Sequence, residues 1–143
     1  MIGMSMQDPM ETTQYLPATR LDRDIILRLA REVASSPAAM ALAAVPMAIA
    51  IVNETRQIVF ANARFVALTE SGCLDGVLGQ RPGEALGCLH ANETNGGCGT
   101  TNFCRYCGAA AAIVKSLGGE NSTQECAINR NNVTALDSLN FQI

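Results

Sequence analysis

Residues 47–62 decide the fold, and they read Met47-Ala48-Ile49-Ala50-Ile51-Val52-Asn53-Glu54-Thr55-Arg56-Gln57-Ile58-Val59-Phe60-Ala61-Asn62. Two short runs of apolar and β-branched residues, 47–52 and 57–61, flank a polar turn at 53–56. This pattern predicts two strands, and the short connection between them predicts an antiparallel hairpin. Asn62 ends the second strand, and the apolar residues that follow it predict a short helix: Phe65, Val66 and Leu68.

The segment upstream of the hairpin predicts two helices. Residues 21–33 form an amphipathic pattern because apolar residues recur there at helical spacing: Ile25, Ile26, Leu29 and Val33. Pro37 interrupts this helix, since proline disfavours helix at the residue before it, and a second short helix is predicted at 38–45. We expect residues 19–45 to lie across a sheet or to pair with their copies in a homodimer. Residues 1–18 are expected to be a disordered leader.

The remainder of the chain completes an α+β pattern. Residues 74–86 predict short helical turns and loops, and residues 109–117 predict a clear helix that ends at two glycines. Strands are predicted at 122–128 and 136–143, with a turn at 129–132. The order predicts an antiparallel sheet with its helices grouped in the middle. Because the chain stops on an apolar strand, we expect a fragment of a longer protein.

Composition excludes several classes of function. The chain has 143 residues, 48% of them hydrophobic and 16% charged, which is typical of one globular domain. A net charge of −3 and an aromatic content of 4% argue against a nucleic-acid binder, which normally carries a basic face with stacking aromatics. His90 is the single histidine, so any site that needs two imidazoles is excluded.

The sequence favours a cytoplasmic protein without a membrane span. Residues 33–53 carry no charge, but Pro46 and the many alanines favour a buried helix end followed by a strand. The N-terminus has neither the basic nor the apolar region of a signal peptide. Four N-x-Ser/Thr sequons and six cysteines are compatible with secretion, yet in a reducing compartment clustered cysteines indicate metal or redox chemistry.

Four cysteines and the only histidine fall within one glycine-rich segment. Cys88, Cys98, Cys104 and Cys107 have the spacing C-x9-C-x5-C-x2-C, and His90 lies beside the first of them. Thiolates are soft, anionic donors that suit zinc and iron–sulfur clusters, and glycines let distant donors converge. The cysteines are therefore candidate ligands of an iron–sulfur cluster or of zinc. His90 is a further candidate ligand that could replace one cysteine.

Two other interpretations of these cysteines remain open. They could be small buried hydrophobic residues, or Cys104 and Cys107 could form a redox disulfide. We expect Arg105 to offset part of the thiolate charge. Cys73 and Cys126 lie outside the cluster, and both are expected to be buried or semi-buried packing residues.

Three stretches resemble the PAS domain family. Residues 45–52 resemble its opening strand, residues 57–65 its second strand running into the first helix through Asn62, and residues 78–86 the turn before its central helix. The resemblance covers residues 46–143 and implies a five-stranded antiparallel sheet with short flanking helices, of which four strands are visible here. It also implies a sensor module that binds haem, flavin, a metabolite or a metal cluster, or nothing. The preceding amphipathic helix resembles the family's dimerisation helix.

These observations lead to one function and two alternatives. We expect a signal-transduction sensor domain of a larger regulatory protein, such as the histidine kinase of a two-component system, which senses redox state, oxygen or a ligand through the cysteine-rich loop. The chain itself is then not an enzyme, and it acts on a downstream signalling domain. The alternatives are a structural or protein-interaction module with a zinc-stabilised loop, and a thiol-based redox enzyme.

Overall fold

The predicted hairpin is present in the computed structural model, which describes residues 13–131 and 136–142 of the chain. Strand β1 (Ala50–Val52) pairs antiparallel with strand β2 (Ile58–Ala61), in a register that places Ala50 opposite Ala61. The turn closes because the side-chain oxygen of Asn53 accepts two backbone N–H groups from within it. This local hydrogen bonding explains why the strands were predictable from the sequence alone.

Asn62 joins the end of β2 to helix α3 (Ala63–Leu68). Its side-chain oxygen accepts the backbone N–H of Phe65 at 3.0 Å and so caps the helix. The same oxygen accepts the N–H of Ile49 at 3.0 Å, and the amide nitrogen donates to the carbonyl oxygen of Met47 at 2.7 Å. One buried side chain therefore fixes both the strand end and the helix start.

Helix α1 (Arg23–Ala34) and helix α2 (Pro37–Ala43) confirm the two predicted N-terminal helices, with slightly shifted bounds. The apolar stripe of α1 packs within the chain, where Ile26 contacts a small core formed with Val59 and Leu78. The helix therefore covers one face of the first hairpin.

A second, larger core lies on the opposite face of the hairpin. Neighbouring residues of a strand point to opposite faces, so Val59 packs under α1 whereas Ile58 enters this second core. Helices α4 (Leu74–Val77) and α5 (Pro82–Ala85) cover it from the side. The core also contains Phe65, Val77, Leu86, Cys126 and Ile128.

The glycine-rich segment was predicted as an irregular loop, and it contains two short 3₁₀ helices, Leu89–Asn92 and Asn102–Tyr106. Helix α6 (Gly108–Leu117) follows at the predicted place. It packs against the strand that comes next in the chain. The start of α6 is therefore held between the cysteine-rich segment and that strand.

The second hairpin pairs strand β3 (Glu125–Asn131) with strand β4 (Leu136–Gln142). Strand β3 begins and ends three residues later than the predicted range 122–128. Residues 129–131, predicted as part of a turn, continue the ladder because backbone pairing does not require apolar side chains. The rest of that predicted turn lies outside the described residues.

The described residues form mixed helix and strand with antiparallel pairing, which confirms the predicted class. The two hairpins are separate two-stranded sheets, so the single sheet that was expected is not formed by these residues. A cavity of about 340 Å³ lies between them, lined among others by Val52 of β1, Ile113 of α6 and Ile128 of β3. Both hairpins and α6 therefore contribute to the lining of this cavity.

The uncharged stretch at residues 33–53 holds the end of α1, all of α2 and strand β1. The longest helix of the described ranges is α1, with 12 residues. No helix in these ranges combines the length and the apolar character that crossing a bilayer requires.

The chain before α1 runs along the cysteine-rich segment. The N–H of Gln14 donates to the carbonyl oxygen of Thr100 at 2.7 Å, and the N–H of Leu16 donates to that of Gly99 at 3.1 Å. Residues 1–12 of the predicted leader lie outside the described residues. The part of the leader at 13–18 is held by these backbone hydrogen bonds.

Candidate functional site

The five candidate ligands line one cavity of about 260 Å³. The cavity lies between the start of α5, the two 3₁₀ helices, the N-terminal end of α6 and strand β3. Residues that are spread over twenty positions of the sequence therefore converge in space, namely Cys88, His90, Cys98, Cys104 and Cys107.

Cys88 and Cys98 approach each other across Gly83, the second residue of α5. A Cβ atom at position 83 would lie 2.7 Å from the sulfur of Cys98 and 3.3 Å from the Cβ of Cys88, so any larger residue there would force the Cys98 thiol to shift. The N–H of Cys88 donates to the carbonyl oxygen of Gly83 at 2.7 Å. The N–H of Cys98 donates to a carboxylate oxygen of Glu84 at 3.0 Å. Helix α5 thus anchors both cysteines.

Cys104 and Cys107 are placed by the second 3₁₀ helix. The sulfur of Cys104 contacts the hydroxyl of Thr101 at 3.2 Å, and this side chain is buried. The N–H of Cys107 donates to the carbonyl oxygen of Cys104 at 3.2 Å. Cys107 directly precedes α6, so its position and that of the helix start are coupled.

His90 is oriented by two neighbours. Its Nδ1 lies 2.6 Å from a carboxylate oxygen of Glu93, and its ring stacks on Phe103 with 3.7 Å between ring centroids. Because Glu93 engages Nδ1, Nε2 is the nitrogen that remains for a ligand. The sequence pattern, a single histidine in a loop, did not indicate this partner, although Glu93 lies only three residues further along the chain.

Cys126 was predicted to be a packing residue, and it is indeed buried. Its sulfur also lies 3.8 Å from the sulfur of Cys107. No spacing rule indicates this contact, because β3 brings Cys126 to the site from nineteen residues away. Cys73, expected to be at least partly buried, is exposed instead, since it precedes the short surface helix α4.

Two buried arginines, which sequence analysis missed, form part of the cavity wall. Arg81 has no exposed surface, and Arg56 is 5% exposed. Arg81 donates hydrogen bonds to backbone carbonyl oxygens, including those of Gly96 at 2.8 Å and Thr19 at 2.8 Å. Arg56 donates to the carbonyl oxygen of Pro17 at 2.9 Å. The motif Arg-Pro-Gly-Glu predicts a helix start, but not a buried guanidinium.

The arginines leave a surplus of positive charge at the cavity. Three arginines lie close together here: Arg20, Arg56 and Arg81. Among the described residues, Glu84 is the only acid that forms an ion pair with one of them, and its partner is Arg20. Burial, with Arg56 and Arg20 nearby, lowers the pKa of Arg81 to about 10. Within the described part of the chain, neither Arg56 nor Arg81 forms an ion pair with a carboxylate.

Arg105 does not have the predicted role of offsetting thiolate charge. Its guanidinium donates to the carbonyl oxygen of Gln14 at 2.7 Å and lies over the ring of Tyr15, with 4.8 Å between the guanidinium carbon and the ring centroid. The side chain is exposed on the 3₁₀ helix and extends toward the chain before α1. The arginines that line the cavity are Arg56 and Arg81.

The thiols differ in how readily they ionise. Burial raises the pKa of Cys98 to about 12 and also raises the pKa of Cys88. A hydrogen bond from Cys126, together with backbone N–H groups at the start of α6, lowers the pKa of Cys107 to about 6. The pKa of Cys126 is raised because its thiol supplies that hydrogen bond. A cation would have to displace protons from Cys88 and Cys98.

The donor set is suited to a soft metal, since it consists of four thiols and one imidazole. As placed, no three His, Cys, Asp or Glu side chains within residues 13–130 are grouped closely enough to hold a metal ion. The thiols share one cavity, and metal binding would require them to move closer together.

Comparisons of the chain with protein-family models, with curated proteins and with solved structures found no match.

Proposed function

We propose that this chain is a PAS-like sensor domain of a larger regulatory protein, such as a sensor histidine kinase, with a metal centre in the cysteine-lined cavity. The ligands are Cys88, Cys98, Cys104 and Cys107, with His90 as a possible replacement for one of them. The centre is an iron–sulfur cluster, with zinc as the alternative. The observation that carries the proposal is that all five side chains line one cavity.

The charges around the cavity support this proposal. Four thiolates around a zinc ion, or around an oxidised four-iron cluster, keep a net negative charge. Buried charge is costly unless it is compensated, and no carboxylate among the residues described in the structure forms an ion pair with Arg56 or Arg81. An anionic centre beside them would balance their charge.

The position of Cys107 suggests how a change at the centre is transmitted. An iron–sulfur cluster supplies sensitivity to oxygen or to redox state. When the centre is lost or oxidised, the loop from Cys88 to Cys107 is released from it, and the start of α6 is free to shift against β3. This shift would pass to the N-terminal helices at residues 19–45, through which the chain forms a homodimer in the cytoplasm, and then to a downstream signalling domain.

Anaerobic purification tests the proposal directly. We expect iron or zinc in stoichiometric amount, and for iron an absorption band in the visible region that bleaches in air. Cys98→Ser should lose most of the metal, whereas Cys73→Ser should retain it because Cys73 is exposed and outside the cavity. Colourless protein that contains neither metal under strict anaerobic conditions would overturn the proposal.

A thiol enzyme is the second candidate, and the contact between His90 and Glu93 favours it. Glu93 could orient the imidazole as the third group of a cysteine–histidine pair. Cys107 would then be the nucleophile. Alkylation of the metal-free protein distinguishes the candidates, because a catalytic thiol should lose most of its rate in His90→Ala, whereas a thiol that is only a ligand should not.

A further inference from the structure

Cys107 and Cys126 form a thiol pair that the sequence does not indicate. Their sulfur atoms lie 3.8 Å apart, one at the start of α6 and the other on β3. The backbones come close here because residue 108 is glycine, and a Cβ at Gly108 would overlap the carbonyl oxygen of Glu125. The close approach of helix and strand is therefore built into the sequence at position 108.

We propose that Cys107 and Cys126 form a disulfide when the metal-free protein meets hydrogen peroxide, and that this bond withdraws Cys107 from the metal centre. The first part depends only on the contact between the two sulfurs. The second part rests on the proposed function, in which Cys107 is a ligand.

The reaction is a two-electron oxidation of the pair by peroxide. The Cys107 thiolate attacks one peroxide oxygen, the O–O bond breaks, and a sulfenic acid and hydroxide result. The sulfur of Cys126 then attacks the sulfur of that sulfenic acid, and the S–O bond breaks as the S–S bond forms. The leaving hydroxide takes the thiol proton of Cys126 and departs as water. The two sulfurs together lose the two electrons that peroxide gains.

The geometry favours Cys126 over Cys104 as the partner of Cys107. A disulfide needs the sulfurs at about 2.05 Å, and the sulfurs of Cys107 and Cys126 already lie within 3.8 Å of each other. The sulfur of Cys104 instead contacts the hydroxyl of Thr101. Cys104 and Cys107 form the C-x-x-C sequence motif, but the sulfur contact of Cys104 is with Thr101.

Trypsin separates the possible pairings cleanly. Its cleavage sites place Cys107 alone in peptide 106–115 and Cys126 alone in peptide 116–130, while the other four cysteines share peptide 65–105. The full chain is stripped of metal under reducing conditions, freed of reductant, and treated with a stoichiometric amount of hydrogen peroxide. Free thiols are then alkylated before digestion and mass spectrometry. We expect peptide 106–115 to be linked to peptide 116–130.

The wild-type map decides the first part without any variant. A link from peptide 106–115 to peptide 65–105, or no link at all, would overturn it. Cys73→Ser should give the same map as wild type, because Cys73 is not part of the pair. Metal content before stripping tests the proposed function separately. If the purified protein contains metal, the stripped and peroxide-treated protein should rebind less than half of the metal that untreated protein rebinds, and dithiothreitol should restore full binding. Full rebinding without dithiothreitol would contradict the second part.

Discussion

The fully buried guanidinium of Arg81 donates a 2.8 Å hydrogen bond to the carbonyl oxygen of Gly96. This bond ties the start of α5 to the loop that carries Cys98, whose own carbonyl oxygen accepts from the same guanidinium at 3.4 Å. An arginine inside the protein thus fixes the position of a cavity thiol. The guanidinium of Arg81 thus supplies both a positive charge at the cavity and the hydrogen bonds that hold the Cys98 loop.

We expect Arg81→Met to lower the free energy of unfolding by about 3 kcal/mol, because one buried and two partly buried hydrogen bonds to carbonyl oxygens are lost. Urea denaturation followed by circular dichroism measures the change. Arg28→Met, on the exposed side of α1, is the control and should change the free energy by less than about 0.5 kcal/mol. Equal midpoints for the two variants would contradict this role of Arg81.

Gly83→Ala should reduce the metal content while the fold is retained. The added methyl would meet the sulfur of Cys98 at 2.7 Å and would push that thiol away from Cys88. Overpacking of this kind costs about 1–3 kcal/mol of stability. Gly118→Ala is the matched control, since the nearest atom to its new methyl is 3.4 Å away. Metal analysis should show loss for Gly83→Ala alone, and normal loading of this variant would refute the convergence of the two cysteines at Gly83.

Asn62→Ala should lower the free energy of unfolding by about 2 kcal/mol, because it removes the cap of α3 and the ties to Ile49 and Met47. Asn121→Ala at an exposed position serves as the control. Urea denaturation provides the comparison. A loss no greater than that of the control would mean that the interactions of Asn62 are dispensable.

Stability should depend on the ionisation of Glu84. Burial alone would raise the pKa of this carboxyl, but hydrogen bonds from Arg20 and from the backbone N–H groups of Arg81 and Cys98 outweigh burial and hold it below the ordinary value of 4.5. The folded state therefore gains stability from ionised Glu84 above pH 4.5, and this gain is lost as the pH falls below that value.

Melting temperatures of wild type and Glu84→Gln test this dependence. The difference between them should be largest near neutral pH and should shrink in acid. Glu120→Gln, at an exposed position, should show no such trend. A difference between wild type and Glu84→Gln that stays constant across the range would exclude the proposed ion pair.

The sequence predicted the features that depend on short stretches of chain. The first hairpin follows from residues 47–62, because alternating apolar runs and a turn lie together in the sequence. The close spacing of the four cysteines in the sequence also accounts for their lining a single cavity. Helix α6 was placed correctly because it has good helix formers and ends at glycines.

Contacts between distant parts of the chain were not predictable. Nothing in the neighbourhood of Arg81 indicates that it is fully buried, because its acceptors come from residues near 19, 55 and 96. Cys126 reaches Cys107 only because a glycine lets β3 approach α6. The separation of the two hairpins is likewise a long-range feature, because the cavity between them is lined by β1, α6 and β3.

The backbone hydrogen bonds of residues 14–19 make this stretch a wall of the cysteine site. The carbonyl oxygens of Pro17 and Thr19 are acceptors for the buried Arg56 and Arg81. A protein shortened to begin at residue 20 would therefore expose the loop around Gly99 and leave both arginines short of an acceptor. Residues 14–19 are therefore part of the packed fold, although they lie upstream of the first helix.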